Sequence, residues 1–170
     1  MNRMIIEPAK PEHLIQLMEW FSDARSCQMW GGMQFRYPFT SSSFEEDSRW
    51  QTLPSYVLLD DAEALLGFGQ FYLRAGRCHL GRLVISPAHR AKGLGGWLIG
   101  GLTRLGTKTL NATECSLFVV KDNAPAIRLY EKLGFVRASY PEHDPDVAPF
   151  DYMVVSAAKL IAWNPQSRRS

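Results

Sequence analysis

The sequence predicts an α/β (α+β) fold. The expected core is a mixed, mostly antiparallel twisted sheet of roughly six or seven strands, with one central parallel β-α-β crossover and about four helices. Three observations carry this. Short β-rich runs separated by tight turns fill residues 56–86. After Pro87 the pattern changes from strand-turn-strand to strand-helix-strand. Leu94, Trp97, Leu98, Leu102 and Leu105, and then Ala126, Ile127, Tyr130 and Leu133, recur at helical spacing.

Each element has its own reason. Met4 to Glu7 is a short strand ended by Pro8. Pro11 opens a helix, because its missing N–H costs little in a first turn. Leu14, Leu17, Met18 and Phe21 give that helix one apolar stripe. From Arg25 the chain reads as a loop, then as a short helix ending near Trp50. Ser42 with Glu45, or Ser43 with Glu46, fits a capping box for that helix. Tyr56–Leu59, Ala64–Leu73 and Arg77–Ser86 form a meander turned at Asp60-Asp61 and Ala75-Gly76. Pro87 stops its last strand, since proline cannot donate to a ladder. Thr113–Val120 is the strand after the first long helix. Gly134 closes the second, and Phe135–Tyr140 and Asp151–Ser156 complete the sheet.

A chain of 170 residues with 46% hydrophobic content suits a single domain spanning 1–170. The net charge of +2 is too balanced for a nucleic-acid binder, and the tail Arg168-Arg169 explains most of it. No apolar run approaches the ~20 residues of a membrane span. Cys27, Cys78 and Cys115 show no CxxC spacing, which argues against a disulfide framework and against a metal site. Reduced thiols in a cytoplasmic protein are the expectation.

The junction after Pro87 is where chemistry enters. Arg90-Ala91-Lys92-Gly93-Leu94-Gly95-Gly96 lies where a strand feeds a helix. The first amides of a helix have no intrahelical acceptor and carry the positive end of its dipole. Glycines let the backbone approach a bulky anion closely, and Arg90 and Lys92 add charge. The loop lacks the Lys-Ser/Thr end of a P-loop, and position 98 breaks the Rossmann glycine spacing. By itself it is an anion cradle. Gly100, Gly101 and Gly106 in the following helix read as close packing on the sheet.

About thirty residues on stands Asn123-Ala124-Pro125-Ala126-Ile127-Arg128-Leu129-Tyr130-Glu131-Lys132-Leu133-Gly134-Phe135. Asp122 or Asn123 caps this helix, and Pro125 sits in its first turn. Leu83 to Gly95 resembles the acetyl-CoA motif of the GNAT superfamily of N-acetyltransferases, in which a Val-x-Pro-type strand end precedes Arg/Gln-x-x-Gly-x-Gly/Ala. The Asn-x-x-Ala-x-x-x-Tyr-x-x-x-Gly-Phe pattern resembles that superfamily's second signature. Together they cover residues 77–136.

The resemblance implies acetyl-CoA as co-substrate, no metal, and transfer to a primary amine of a small molecule or peptide. Attack would be direct, in a ternary complex. It implies that Leu83, Val84 and Ile85 meet the pantetheine arm and supply an oxyanion donor. The amides of Arg90, Ala91, Lys92, Gly93, Leu94, Gly95 and Gly96 would hold the pyrophosphate. Asn123 would meet the pantetheine, with Ala126 in the same motif. Tyr130 would protonate the leaving sulfur. The thioester would lie in a splayed gap between Arg77–Ser86 and Thr113–Val120. His79 stands where many relatives carry a catalytic Glu, so it is a candidate base or simply a satisfied strand histidine. A homodimer is common in the family. The competing reading is a non-catalytic acyl-CoA-binding or sensing module of the same fold.

Weaker candidates complete the set. His89 and His143 read as surface histidines, the latter in a solvated loop that could border the acceptor. Cys78 and His79 should face opposite sides of their strand, which disfavours a dyad. Glu45-Glu46-Asp47 could attract a cationic amine. Trp30, Phe35, Tyr37 and Phe39 line an acceptor pocket or pack the first helices.

Overall fold

A computed structural model describes residues 3–163; the Arg168-Arg169 tail lies outside the described residues. In chain order the elements are β1 (Ile5–Pro8), α1 (Pro11–Met18), α2 (Ala24–Gly31), α3 (Ser41–Ser48), β2 (Ser55–Leu59), β3 (Leu65–Arg74) and β4 (Arg77–Ile85). They continue with α4 (Leu94–Leu110), β5 (Glu114–Val120), α5 (Ala124–Leu133), β6 (Val136–Ala138), β7 (Phe150–Ser156) and α6 (Ala157–Ala162). The seven strands are ordered β1-β2-β3-β4-β5-β7-β6. β4 and β5 are parallel, whereas β1-β2, β2-β3, β5-β7 and β6-β7 are antiparallel. This is the mixed, mostly antiparallel sheet that the sequence predicts. No described helix is long and apolar enough to cross a membrane.

The chain forms two compact units. Among the described residues, the first comprises 3–70 and Arg82–Leu98. Its core gathers Leu14, Leu17, Phe21, Cys27, Phe35, Phe44, Val57, Leu59, Leu65 and Phe68, all buried. Trp30 stacks on Phe21 and Phe44 at ring separations of 4.6 and 5.6 Å. Tyr37 and Phe39 pack on the same cluster. These aromatics therefore do the packing work that was one of their two sequence readings.

The segment from Arg25 holds more helix than expected. α2 is capped by Asp23, whose carboxylate accepts the Ser26 amide at 2.7 Å. α3 begins earlier than the Ser42 or Ser43 boxes imply. Thr40 is its cap, and Thr40 and Ser43 exchange bonds reciprocally at 3.0 and 2.9 Å. Serine fills the role expected of glutamate, because its short hydroxyl reaches the cap amide as well. α6 was also not anticipated; Ser156 caps it through the Lys159 amide at 3.3 Å.

Among the described residues, the second unit comprises Phe71–Gly81 and 99–163. β5 pairs with β7 along its whole length, from Glu114↔Ser156 to Val120↔Phe150. β4 pairs with β5 at Cys78↔Cys115 and His79↔Ser116. Cys78 faces α4, where the Gly106 position stands against its sulfur. His79 points to the other face, toward Ser116, so the two do not form a dyad.

Candidate active site

In the first unit, Ser86 ends the ladder with its amide bonded to the Leu66 carbonyl at 2.8 Å. Pro87–His89 then makes one 3-10 turn, closed by the His89 amide on the Ser86 carbonyl at 2.9 Å. Ala91 and Gly93 follow at φ 63° and 76°, both left-handed. Arg90 is extended at φ −69° and ψ 160°, and the positive φ of Ala91 and Gly93 bends the loop twice before α4, in the manner of an anion-binding nest. Arg90 to Gly93 are exposed, and Leu94 turns inward at the start of α4. A Cβ on Gly93 would meet nothing within 4 Å. Glycine is therefore favoured there by backbone conformation and not by crowding. An exposed bend at a helix start, with the side-chain charges of Arg90 and Lys92, could hold a diphosphate.

β4 enters this unit by an irregularity. Arg82 stands at φ 47° inside the strand. Residues before it, Cys78 to Leu80, are buried; Gly81 to Ile85 are half-exposed. Leu83, Val84 and Ile85 are therefore the half-exposed end of the strand that leads into the loop. Three side chains hold the irregular residue. The Trp30 indole donates to the Arg82 carbonyl at 2.7 Å. The Arg82 guanidinium donates to Gln70 Oε1 at 2.9 Å and to the Asp47 carbonyl at 3.1 Å. Gln70, wholly buried, donates to the Ser48 carbonyl and to Ser55 Oγ. Sequence reasoning missed Gln70 and Arg82 altogether. A non-glycine residue in the left-handed region leaves no mark in a strand pattern.

The acidic run of α3 is not free. Arg36 binds Glu46 at 2.7 Å and Asp47 at 2.9 Å. The hydrogen bonds from Arg36 hold the Asp47 carboxyl below its usual range.

In the second unit, Asn123 caps α5 and accepts the Ala126 amide at 3.4 Å. Asp122, the alternative, is not the cap. Gly134 ends the helix at φ 105°, a conformation that favours glycine. Tyr130 is half-buried on α5 with its ring 5.8 Å from that of Phe135. Burial pushes its hydroxyl up to about 12, so it keeps its proton at neutral pH.

His79 is 2% exposed. Its Nδ1 lies 2.9 Å from Ser116 Oγ, and its ring sits 5.3 Å from Tyr72 and 4.9 Å from Phe118. Burial first, and then the positive charge of Arg74, pulls it down to about 3. At neutral pH the imidazole is neutral and binds protons weakly. This has a consequence for stability. The unfolded chain takes up a proton near 6.5, but the native state does not until about 3. The unfolded state therefore binds more protons in that window, and stability is lost as pH falls through it. His79→Asn is expected to shed this loss. Its unfolding free energy from urea titration should fall less than that of wild type between pH 7 and pH 4, by at most about 1.4 kcal/mol per pH unit. Equal falls in both proteins would refute the buried neutral imidazole.

His89 is half-buried, with Nδ1 3.2 Å from Ser86 Oγ. His143 is exposed. The Cys78 thiol is pushed up by its hydrogen bond with Cys115 and by burial, which leaves it inert as a nucleophile. Among the described residues no group of three His, Cys, Asp or Glu is placed to hold a metal.

The fold resembles several solved acetyltransferases. The spermidine N-acetyltransferase of Vibrio cholerae, solved with CoA and spermine, is 19% identical and matches with a TM-score of 0.70 over 93% of this chain and 98% of its own. A chimeric form of that enzyme matches at 17% identity and TM-score 0.70, over 94% and 99%. A candidate acetyltransferase of Acinetobacter baylyi matches at 16% and 0.65, over 92% and 94%. The profile of the acetyltransferase (GNAT) family matches residues 14–135. That stretch includes the nest, the strand before it and the Asn123–Tyr130 helix, and the chain belongs to this family as an acetyl-CoA-dependent acyltransferase.

Proposed function

We propose that the protein is an N-acetyltransferase that moves an acetyl group from acetyl-CoA to a primary amine by direct attack in a ternary complex. The observation that carries this reading is the exposed left-handed nest at Ala91 and Gly93 at the start of α4. It suits the pyrophosphate of the donor. The half-exposed strand end Leu83, Val84 and Ile85 suits the pantetheine and an N–H directed at the carbonyl oxygen, where negative charge develops. Asn123 spends its carboxamide oxygen on the helix cap, so its Nδ2 amide is the group available to the pantetheine. Ala126 contributes the amide that receives that cap.

A primary amine arrives protonated, with an ordinary pKa near ~10. His79, held near 3, is a poor receiver for that proton. We assign its removal to water and retain His79 as a neutral hydrogen-bonding partner of Ser116. Tyr130 is protonated and suits donation to the departing thiolate. The polyamines named for the neighbouring structures are one acceptor class to test. Arg36 already pairs with Glu46 and Asp47 and offsets one of their two charges, which weakens the pull of α3 on a polycation.

The test is thiol release from acetyl-CoA with an amine panel: spermidine, free lysine, an aminoglycoside and a peptide with a free N-terminus. Amine-dependent release supports the reading. Tight acetyl-CoA binding with no release above hydrolysis favours the sensing module instead. The nest has its own variant. Gly93→Ala forces alanine to φ 76°, at a cost of about 1–2 kcal/mol. The KM for acetyl-CoA is expected to rise about tenfold, with kcat within about twofold. An unchanged KM would remove the nest from donor binding.

A further inference from the structure

We infer that Trp30, with the Arg82–Gln70 pair, is a positioning device that sets the irregular turn of β4 and thereby aims the Leu83–Ile85 amides at the reacting carbonyl. This rests on the proposed acetyl transfer and goes beyond it, because none of these three side chains belongs to the family's two signatures.

The geometry is specific. Arg82 at φ 47° is strained for a residue with a side chain, so something must hold it. Its carbonyl is fixed by the Trp30 indole at 2.7 Å, across fifty-two residues of sequence. Its guanidinium is fixed by Gln70 Oε1 and the Asp47 carbonyl. Gln70 in turn is tied to the Ser48 carbonyl at 2.8 Å and Ser55 Oγ at 2.9 Å. Gln70 and Ser48 are 0% exposed. Trp30 is itself clamped by stacking on Phe21 and Phe44. The donor nitrogen therefore has little freedom, and what it grips is the residue immediately before Leu83, Val84 and Ile85. A peptide plane turned at Arg82 turns the planes that follow it. An oxyanion donor works by being aimed beforehand, and a small misdirection costs rate more than binding. Trp30 belongs to α2, and the carbonyls that Arg82 and Gln70 grip, those of Asp47 and Ser48, lie at the end of α3. Those helices hold the segment sequence reasoning associates with the acceptor, so the device also ties the acceptor side of this unit to the donor strand.

The experiment removes the indole N–H and keeps the ring. Trp30 is replaced by benzothienylalanine, which puts sulfur in place of Nε1–H, and separately by Trp30→Phe. Amide exchange of the 82–86 segment is followed in the free protein, and kcat and KM for acetyl-CoA are measured per folded molecule. Exchange in that segment is expected to quicken about tenfold, the loss of one buried hydrogen bond. kcat should fall about tenfold, with the KM for acetyl-CoA within about twofold. Faster exchange throughout the unit with kcat unchanged would mean that Trp30 only stabilises the fold, and overturns the inference. Unchanged exchange and kcat in an active protein overturns it as well, and leaves acetyl transfer standing. A wild type that binds no acetyl-CoA overturns both.

Discussion

Tyr130→Phe is expected to slow amine-dependent turnover by about 10²-fold while the KM for acetyl-CoA stays within about twofold. The magnitude is that of a lost general acid. Phenylalanine keeps the ring against Phe135, so the change is confined to one hydroxyl. The direction follows from the proton inventory. Burial holds the Tyr130 hydroxyl protonated up to about 12, so at pH 7 to 9 it is a donor ready to use. Its ionisation cannot shape the rate profile in that range. A rise in rate toward alkaline pH would instead reflect deprotonation of the amine, and Tyr130→Phe should lower the whole profile without shifting its limbs. Turnover equal to wild type would exclude Tyr130 as the acid. A parallel loss of acetyl-CoA binding would give it a packing role instead.

Gly106→Ala, a single added methyl group, is expected to destabilise the protein. A Cβ there would stand 2.6 Å from Cys78 Sγ and 3.0 and 3.2 Å from ring atoms of Phe71. Cys78 and Phe71 are buried at 0% and 1% exposure, and Cys78 has Cys115 beside it, so neither can withdraw easily. Alanine gains about 1 kcal/mol over glycine in a helix interior, but overpacking a tight core costs about 1–3 kcal/mol. The clash should win, with a net loss of about 1–2 kcal/mol for Gly106→Ala and a larger one for Gly106→Val. In a chain of this size the former lowers Tm by about 2–8 °C. Gly100 is the control on the same helix. A Cβ there meets nothing within 4 Å, so Gly100→Ala should raise stability by up to about 1 kcal/mol. Combining Gly106→Ala with Cys78→Ala should recover part of the loss, because the sulfur that clashes is gone. A stabilised Gly106→Ala would show that this contact is looser than it stands.

The glycines of α4 show how far pattern reasoning reaches. From sequence, Gly100 and Gly106 are equivalent departures from helical preference, both assigned to close packing on the sheet. The structure separates them: Gly106 admits no side chain, and Gly100 has open space around its hypothetical Cβ. The early helices show the same limit. Asp23 and Ser26 carry a cap signal for α2, but the helix is short, and glycine and polar residues blur its apolar stripe. In contrast, the Pro125 first turn and the Gly134 stop were legible, and the cap was narrowed to Asp122 or Asn123, because each rests on rules local to four or five residues.

His79 was legible as a position but not as an acid–base group. An isolated histidine reads as a titrating group near 6.5. Only the surroundings of Tyr72, Phe118, Ser116 and the nearby Arg74 charge remove its proton affinity, and those partners come from separate strands.

The sequence by itself determined the strand order along the chain, the nest before α4, the Asn123–Tyr130 helix and hence the family and its donor. These depend on short-range patterns: turn residues, helical spacing and caps. Only tertiary structure decided how the donor strand is shaped. The left-handed Arg82, gripped by Trp30 from α2 and by Gln70 from β3, exists because three distant segments meet around one core. Hydrogen bonds across such separations depend on how the core packs, and no local spacing rule encodes that.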